Sequence, residues 1–340
     1  MARPTLEEVA RLAGVSRSTI SRVINDHPNV RDEVRERVWQ AIRASDYQPH
    51  PVARSLVTRR TRIIGVVIPE AVTTLFTDPF FPLLLRGATE SCNAHQYQLM
   101  LSLLNAPASQ EEMYQRVLRN GYLDGVVVAS TSLGDALIPN LLRDHVTFMS
   151  VGRHPNPRVH YVDVDNVGGA QMAVEHLIRL GHRRIATVTG RLDMSAGQDR
   201  LTGYRQALEQ HRIPAEEDLV FEGDFTEASG MAGMQELLAR LPSAVFAASD
   251  MMAVGALKAL RQAGWQVPDD VALVGFDDVP IASAIEPALT TVRQPIDRLG
   301  AMAVDLLLSL LENPPEENAP THKIILPAEL LVRRSCGALR

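Results

Sequence analysis

At 340 residues, the chain is too long for one ordinary domain, so its length predicts two or three domains. A hydrophobic content of 46% supports sizeable cores, and aliphatic side chains must fill them because aromatic residues make up only 5%. The formal net charge of -6 excludes a protein that is basic throughout. Residues 1–62 contain 12 Arg and 7 Asp or Glu, whereas the remainder contains 22 Lys or Arg and 33 Asp or Glu. This uneven charge favours a polyanion-binding head joined to a domain of another kind.

Several classes of protein are excluded by what the sequence lacks. The two cysteines, Cys92 and Cys336, do not have the spacing of a metal site, and disulfides are not expected. No apolar run has the length of a membrane-spanning helix, and no signal sequence is recognised, so we expect a soluble, cytoplasmic protein. The patterns GxxxxGKS/T, GxSxG, HExxH and GxGxxG are all absent. We therefore expect no enzyme activity, no cofactor and no metal.

The first predicted element in the chain is a pair of short helices within residues 5–25, TLEEVARLAGVSRSTISRVIN. Thr5 can cap the first helix together with Glu8, which lies three residues further on. Gly14 follows the apolar pattern at a position where a left-handed backbone ends a helix. Ser16 then supplies the cap of the second helix. The stretch predicts a helix, a tight turn and a second helix.

The second helix has two different faces. Ile20 and Val23 point to one side, whereas Arg17, Ser18, Ser21 and Arg22 share the other side. Arg can donate two parallel hydrogen bonds to a guanine edge in the major groove of DNA. An ordinary helical hairpin with a solvated charged face would have the same outline, so the shape alone does not decide between these interpretations.

The whole stretch resembles the DNA-binding headpiece of the lactose-repressor family of bacterial transcription regulators. The matching residues are Thr5-Leu6, Val9-Ala10, Ala13-Gly14-Val15-Ser16, Thr19, Ser21-Arg22-Val23 and Asn25. The resemblance implies base contacts from Arg17, Ser18 and Arg22. The full set of predicted headpiece contacts to DNA is Thr5, Leu6, Ser16, Arg17, Ser18, Thr19, Ser21, Arg22, Asn25 and Asn29.

A third helix over residues 32–45 completes a headpiece that we place at 1–49, and a linker follows at 50–61. The linker carries an apolar strip of Val52, Ala53 and Leu56. In the family, the matching segment folds as a hinge helix when two copies meet on DNA, and a Leu wedges between base pairs in the minor groove. A disordered basic tether is the alternative interpretation, and both hold if the helix forms only on DNA.

Beyond residue 62, strand and helix patterns alternate. Strands are predicted at 63–68, 97–103, 125–129, 148–151, 184–188, 219–222, 244–247 and 271–275, and helices at 83–95, 110–119, 168–180, 200–211, 228–239 and 250–263. Two such sets predict two α/β lobes, each with a doubly wound parallel sheet.

The resemblance to the lactose-repressor family continues through this part of the chain. Its blocks are 175–177, 180–186, 200–204, 274–278 and 287–292. In that family the body resembles a periplasmic sugar-binding protein, and three chain crossings join the lobes. By analogy, the first lobe is 62–162 plus 293–320, the second is 163–292 plus 321–333, and 334–340 is a tail.

Ligands of open α/β sheets bind at the carboxyl ends of the strands, so we expect an effector between the lobes. Asp277 follows a strand and can accept hydrogen bonds from sugar hydroxyls, although a structural Asp is the alternative. Arg200 opens a predicted helix and can clamp hydroxyls, although a salt bridge is equally consistent. Phe225 matches an aromatic that faces the sugar in the lactose repressor. The predicted effector residues are Phe80, Phe81, Arg153, Asp163, Arg200, Phe225, Ser249 and Asp277.

The resemblance implies a cytoplasmic, nucleoid-associated homodimer that binds a near-palindromic operator. We expect it to be a regulator, most simply a repressor, of carbohydrate utilisation with a mono- or oligosaccharide effector. A nucleoside or purine effector is the alternative within the family. A solute-binding protein without a DNA role and a sugar kinase are the competing classes, and the basic headpiece and the missing phosphate loop argue against them.

Overall fold

The computed structural model describes residues 4–24, 27, 29–45, 47, 60–69, 72–103, 114–119, 121–316 and 319–338. The predictions for Asn25, Val52, Ala53 and Leu56 lie outside these residues. The chain divides into two compact units, Met1–Arg62 and Ile63–Arg340. Within the described residues, no helix combines the length and the apolar character needed to cross a membrane.

The first unit contains three helices, α1 (Leu6–Ala13), α2 (Arg17–Ile24) and α3 (Asp32–Ser45). Its small core is formed by the faces that the sequence pattern assigns to the interior, with Val9, Ile20 and Val38 fully buried. These β-branched side chains come one from each helix, so the three helices close on a shared core.

Local hydrogen bonds and one left-handed residue fix the start of α1 and the turn between α1 and α2. The Thr5 hydroxyl accepts a hydrogen bond from the Glu8 amide at 3.3 Å, and the Glu8 carboxylate accepts one from the Thr5 amide at 2.7 Å. Gly14 has φ 64°, in the left-handed region. The Ser16 hydroxyl accepts from the Thr19 amide at 3.2 Å. The predicted capping box, glycine turn and second cap are therefore confirmed.

The second unit alternates strands and helices. In chain order they are β1 (Ile63–Ile68), α4 (Val72–Thr77), α5 (Phe80–Ala94), β2 (Gln98–Leu103), a π-helix (Tyr114–Leu118), β3 (Gly125–Ala129), α6 (Leu137–Arg143), β4 (Phe148–Val151), β5 (Tyr161–Val164), α7 (Asn166–Arg179), β6 (Ile185–Thr189), α8 (Ser195–Gln210), β7 (Val220–Glu222), α9 (Glu227–Leu237), β8 (Ala244–Ala247), α10 (Asp250–Gln262), β9 (Ala272–Asp277), α11 (Ile281–Ala284), β10 (Thr290–Arg293), α12 (Ile296–Glu312), β11 (Lys323–Leu326) and β12 (Glu329–Leu331). Of the predicted helix at 110–119, the described part is the short π-helix.

Two six-stranded sheets form the two lobes, with the orders β11-β5-β4-β3-β1-β2 and β12-β10-β9-β8-β6-β7. Every pairing is parallel except that between β10 and β12. The inner strands are apolar and β-branched, as in GVVVA of β3, because helices cover both faces of a parallel sheet. The predicted fold class of two doubly wound lobes is confirmed.

The chain crosses between the lobes after β5, after β10 and after β11. The assignment of all of 321–333 to the second lobe is wrong, because β11 pairs with β5 of the first sheet, with Lys323 opposite Tyr161. Only β12 joins the second sheet. Without β11 and β12, each sheet would have an unpaired edge, at β5 in the first lobe and at β10 in the second, and a short, mostly apolar strand could pair with either edge. The first lobe also extends beyond residue 162, to the end of β5 at Val164.

Residues 334–340 were predicted to be a tail, but their described part is built into the second lobe. The Ser335 hydroxyl donates to the Leu273 carbonyl at 2.6 Å and accepts from the Thr290 amide at 2.8 Å. Cys336 is buried in the core that α7, α8 and the second sheet form. Ser335 therefore links two strands of the second sheet.

Helix α12, which was not predicted, packs closely on α5 of the first lobe. Gly87 and Gly300 lie at the crossing, where a Cβ on Gly87 would collide with the backbone of Asp297. A Cβ on Gly300 would collide in the same way with Leu84. Only glycine allows the two backbones to approach this closely, and this contact holds the segment after the second crossing on the first lobe.

Candidate functional site: a DNA-reading helix and an interlobe cleft

The exposed face of α2 carries five residues predicted to contact DNA, namely Arg17, Ser18, Thr19, Ser21 and Arg22. Arg17, Ser18 and Arg22 are exposed, and the other two are half-buried. Arg17 forms an ion pair with Glu7 at 2.7 Å, with both side chains mostly exposed. An exposed pair contributes little to stability, so DNA can replace Glu7 as the partner of Arg17 at small cost.

The remaining described headpiece residues divide by their local roles. Thr5 and Ser16 act as helix caps, and the Ser16 hydroxyl lies 2.7 Å from that of Ser18. Leu6 is half-buried and packs against the headpiece core. Asn29 is exposed in the turn before α3. Packing in the core therefore explains why Leu6 is apolar, whereas Thr5, Ser16 and Asn29 have polar atoms at the surface.

A cleft between the two lobes has an empty volume of about 940 Å³, which includes its solvent-filled mouth. All eight predicted effector residues line it, namely Phe80, Phe81, Arg153, Asp163, Arg200, Phe225, Ser249 and Asp277. The carboxyl ends of parallel strands from both sheets meet here, because each sheet turns that edge toward the other lobe. The cleft therefore lies where open α/β sheets bind their ligands.

The two phenylalanines do not lie in a loop, as the sequence suggested, but begin helix α5. The Asp78 carboxylate accepts a hydrogen bond from the Phe80 amide at 2.9 Å and so holds the start of the helix. The rings of Phe80 and Phe81 meet edge to face with centroids 5.5 Å apart. Phe81 is buried in the first-lobe core, so both predicted roles, core and cleft wall, apply to it.

Arg200 lies in the second turn of α8, not at its start as predicted. Its guanidinium is buried and stacks on the Phe276 ring at 3.7 Å from the centroid. Nη1 donates to the Ala248 carbonyl at 2.5 Å and to Asp277 at 3.2 Å. Nε donates to Asn166 at 2.9 Å, whereas Nη2 has no partner among the described residues. Burial lowers the pKa of this guanidinium.

Asp277 ends β9 in a strained backbone conformation, with φ 116°. Such a φ is rare for a non-glycine residue and is found where a side chain must be aimed at a functional site. Its carboxylate accepts from the Gln294 side chain at 2.6 Å in addition to Arg200. Burial raises the pKa of Asp277 to about 7, against the opposing effect of Arg200. Arg200 and Asp277 therefore form a buried pair that is in contact with the cleft.

The neighbouring Asp278 braces this turn. Its carboxylate binds Arg293 at 2.8 Å and Arg333 at 2.5 Å, and its own φ is 56°. Two successive left-handed residues thus end β9, and the second one is held by two guanidiniums. The brace keeps Asp277 pointed at the cleft.

Arg153 and Asp163 bring the first lobe into the same site. The Asp163 carboxylate accepts from the Arg153 amide at 2.8 Å, and burial raises the pKa of Asp163. The Arg153 guanidinium reaches across the cleft to Asp199 of α8, with Nη2 at 2.7 Å and Nε at 3.1 Å. The Ser195 hydroxyl also donates to the Arg153 carbonyl. Arg153 therefore joins the lobes directly.

Ser249 and Phe225 line the second-lobe side of the cleft. The Ser249 hydroxyl caps α10 by accepting from the Met252 amide at 3.2 Å. Phe225 has φ 71°, and its ring lies over Gly190, where a Cβ would collide with it. The tip of the ring is therefore held against Gly190, and the side chain lines the cleft.

Several lining residues were missed by sequence reasoning, among them Asp78, Ser130, Thr131, Asn166, Met194, Ser195, Asp224 and Gln294. Five of them lie within two residues of a strand end, so a complete search of strand ends would have found them: Ser130 and Thr131 after β3, Asn166 after β5, Asp224 after β7 and Gln294 after β10. The others lie in loops or at helix starts, where local sequence gives no such signal. Among the described residues, no group of three His, Cys, Asp or Glu could hold a metal ion.

Comparison with known proteins agrees with this division into headpiece and body. Residues 5–50 match the family described as bacterial regulatory proteins, lacI family, and residues 174–336 match the periplasmic binding protein-like domain. The chain is 41% identical over 338 residues to the HTH-type transcriptional regulator CelR of Thermobifida fusca, covering 98% of each chain.

Solved structures extend the similarity to three dimensions. A complex of the transcriptional regulator CelR with cellobiose matches with a TM-score of 0.78 and 40% identity, covering 98% of this chain and 100% of that one. The lac repressor dimer bound to operator and the anti-inducer ONPF matches with a TM-score of 0.84 and 26% identity, covering 98% and 99%. The chain belongs to the lacI family of bacterial regulatory proteins and is a DNA-binding transcription regulator, not an enzyme.

Proposed function

We propose that this regulator controls a carbohydrate-utilisation operon, as a repressor, and that an uncharged saccharide bound between its lobes is the effector. The observation that carries the proposal is the buried Arg200–Asp277 pair at the floor of the cleft. Arg200 Nη2 has no acceptor among the described residues, and buried donors are almost always satisfied. A sugar hydroxyl can accept from Nη2 and donate to the Asp277 carboxylate.

The other lining groups support the same class of ligand. The ring of Phe225 offers a flat surface for the CH groups of a pyranose. Among the described lining residues, carboxylates outnumber guanidiniums, with Asp78, Asp163, Asp224 and Asp277 against Arg153 and Arg200. Arg153 is already paired with Asp199. Such a cleft lacks the surplus of guanidiniums that would favour a phosphate or uronate, and it suits hydroxyl groups, which are neutral.

The relatives support the choice of saccharide, because a protein 40% identical to this chain has been solved in complex with cellobiose. Cellobiose is therefore the first ligand to test. A nucleoside or purine effector is the alternative within the family, since Phe225 can also stack on a base.

We further propose that the protein acts as a homodimer on a near-palindromic operator in the cytoplasm, at the nucleoid. The similarity to a lac repressor dimer bound to its operator supports this arrangement. Thr5, Leu6, Ser16, Arg17, Ser18, Thr19, Ser21, Arg22, Asn25 and Asn29 remain the proposed headpiece contacts, and Val52, Ala53 and Leu56 the proposed hinge contacts. Twofold symmetry of the protein would then be matched by twofold symmetry of the operator.

A ligand screen tests the effector. Melting temperatures are measured with cellobiose, glucose, ribose, adenine and guanosine, because a ligand present at about 100 times its Kd stabilises the folded protein by about 2.7 kcal/mol. We expect a saccharide to raise the melting temperature and calorimetry to give its Kd. A purine or nucleoside that stabilises the protein while every saccharide fails would overturn the saccharide proposal.

A substitution on α2 tests the reading of DNA. Arg22→Ala should reduce affinity for an operator selected from a random library by about 1–3 kcal/mol while affecting random DNA far less. Arg43→Ala, which removes an exposed Arg from α3, is the matched control. Equal losses by Arg22→Ala on operator and random DNA would show that Arg22 contacts phosphates only.

A further inference from the structure

A closed ring of interactions links the two lobes beside the cleft. Arg200 Nε donates to Asn166 Oδ1 at 2.9 Å, and Asn166 Nδ2 donates to Asp163 Oδ1 at 3.1 Å. Asp163 Oδ2 accepts from the Arg153 amide at 2.8 Å, and the Arg153 guanidinium binds Asp199 at 2.7 Å. Asp199 precedes Arg200 on α8, which closes the ring. Two of its members belong to the first lobe and two to α8 of the second.

Asn166 occupies the point where the ring passes through the chain crossing between the lobes. It is the first residue of α7 and directly follows the crossing after β5. The amide of the preceding residue, Asp165, donates to the Leu326 carbonyl at 2.9 Å, at the end of β11. Asn166 therefore lies where two of the three crossings touch, close to the axis about which the lobes can rotate.

The two sides of the ring differ in burial. Asn166 is 2% exposed, and its side chain donates to the Val164 carbonyl at 3.3 Å as well as to Asp163. The Arg153 side chain is 39% exposed, and the side chain of its partner Asp199 is 15% exposed. A partly solvated ion pair breaks at a smaller cost than the bonds of a buried amide, which is left without hydrogen bonds when it loses its partners. Rotation of the lobes would open the ring at Arg153–Asp199 and leave the Asn166 bonds intact.

We propose that Asn166 is a positioning residue that ties the orientation of the Arg200 guanidinium to the angle between the lobes, and thereby couples effector binding to DNA binding. The inference rests on the proposed function, because it assumes that the effector binds Arg200. Asn166 holds Nε with its oxygen and a first-lobe carboxylate with its nitrogen. A change in the interlobe angle moves Asp163 and so turns the guanidinium whose Nη2 is available to a ligand.

The consequence for regulation follows from linkage. An effector that binds Arg200 in one orientation stabilises the interlobe angle that produces this orientation. Without the Asn166 amide, the guanidinium keeps its bonds to Ala248 and Asp277, which both belong to the second lobe. Effector binding then no longer depends on the position of the first lobe through this route, so the coupling is lost even where binding persists.

The test is a ratio of operator affinities. The operator is selected from a random library by the wild-type dimer, and Kd is measured without effector and with saturating cellobiose, whose saturation is verified by calorimetry for each variant. We expect the wild-type ratio to lie between about 5-fold and 150-fold, the usual range of allosteric coupling. For Asn166→Ala we expect a ratio within about 2-fold of unity. Asn140→Ala, which removes a hydrogen-bonded Asn from α6, should keep the wild-type ratio.

A charge exchange separates positioning from a merely structural role. Asn166→Asp keeps the shape of the side chain but replaces the 3.1 Å hydrogen bond to Asp163 with a contact between two carboxylates. Because like charges repel, this variant should lose the coupling. The double variant Asp163→Asn/Asn166→Asp restores a donor and an acceptor with the direction reversed. We expect it to regain part of the ratio, which a general loss of stability could not explain. Asn166→Asp also replaces Asn166→Ala in the test if the alanine variant does not fold.

The outcomes distinguish a failure of the proposed function from a failure of the proposed role of Asn166. If the wild type binds no saccharide, or its operator affinity does not respond to one, the proposed function fails and this inference fails with it. If the wild type responds and Asn166→Ala and Asn166→Asp respond to the same extent, only the role of Asn166 is overturned. Loss of the response in both variants, with recovery in the double variant, supports it.

Discussion

The two lobes have the same strand order but contribute differently to the cleft. In each sheet the chain forms the same arrangement of five parallel strands, and a sixth strand returns from the other end of the sequence. That sixth strand is parallel in the first lobe and antiparallel in the second. The first lobe supplies an aromatic wall from α5, whereas the second supplies the buried pair of Arg200 and Asp277.

This difference indicates that the second lobe determines which chemical groups of a ligand are recognised, whereas the first lobe determines which ligand shapes are accepted. The second lobe binds its charged groups to its own backbone and to each other, so they are positioned before a ligand arrives. The first lobe adds Phe80 and Arg153, and the Arg153 guanidinium is held by Asp199 of the second lobe. We therefore expect substitutions in the second lobe to have the larger effects, and the following experiments test this in order of expected size.

The largest effect is expected from matched arginine substitutions, one in each lobe. Arg200→Ala should lower the free energy of unfolding by about 3–5 kcal/mol, because it leaves Asp277 buried without a counter-ion. Arg86→Ala breaks an ion pair with Asp297 in the first lobe, where both side chains are exposed, and should have a far smaller effect. Urea denaturation measures both. Similar losses for the two variants would contradict the asymmetry between the lobes.

The next effect is a difference in pH dependence between Asp277 and Asp144. The pKa of Asp277 is raised to about 7 by burial, so the unfolded chain releases this proton first and stability falls from about pH 4 to pH 7. The pKa of Asp144 in the first lobe is lowered to about 2, chiefly by hydrogen bonds from Arg143 and Tyr114. Its contribution is present above about pH 4 and is lost as the pH falls toward 2.

Unfolding measured at several pH values checks these opposite signs. Relative to wild type, Asp277→Asn should reduce the loss of stability between pH 4 and 7, and the remaining loss comes from Asp163 and Asp250, whose pKa values are also raised by burial. Asp144→Asn should instead remove a gain that appears between pH 2 and 4. The same pH slope for Asp277→Asn and wild type would mean that Asp277 is ionised throughout this range.

A smaller effect is expected from the aromatic side chains of the two walls. Phe225→Ala should weaken saccharide binding by at least about 0.5–1.5 kcal/mol, since its ring is fixed over Gly190 and its contact is lost outright. Phe80→Ala should cost less, because Phe81 beside it can still fill part of the wall. Phe76, which is 74% exposed on α4, provides a control that leaves affinity unchanged. Calorimetry that ranks Phe80 above Phe225 would reverse the proposed roles of the lobes.

The smallest effect on stability is expected at the ion pair between Arg153 and Asp199. Arg153→Ala breaks an ion pair that is partly exposed, so it should change the free energy of unfolding by about 0–1 kcal/mol. Asp199→Asn serves as its partner control. A loss as large as that of Arg200→Ala would show that the lobes are held together chiefly by this ion pair.

The sequence was most informative where structure depends on near neighbours. The capping box of Thr5 and Glu8, the turn at Gly14 and the apolar faces of α1 to α3 follow from residues three or four positions apart. Asp277 was also predicted correctly to line the cleft, because ligands of open α/β sheets bind at the carboxyl ends of the parallel strands and Asp277 lies at such an end.

The errors share a different cause. Strand β11 was placed with the wrong sheet, since nothing in KIIL distinguishes two free sheet edges. Phe80 and Phe81 were read as a loop because the helix start depends on a carboxylate at Asp78 and not on an apolar pattern. Asn166 follows the end of β5 and could have been selected as a lining residue, but no local pattern shows that it bonds Arg200, which lies 34 residues further along the chain.

The sequence alone determined the headpiece, the alternation of strands and helices in the body and the family to which both point, because short-range periodicity and capping encode them. The packing of the two lobes settled which lobe each returning segment joins, and it brought Arg153, Asn166, Arg200 and Gln294 into one network, of which Arg153 is the partly exposed member. Such contacts join residues that are distant in the chain, and their geometry depends on how two lobes pack, which no local pattern records.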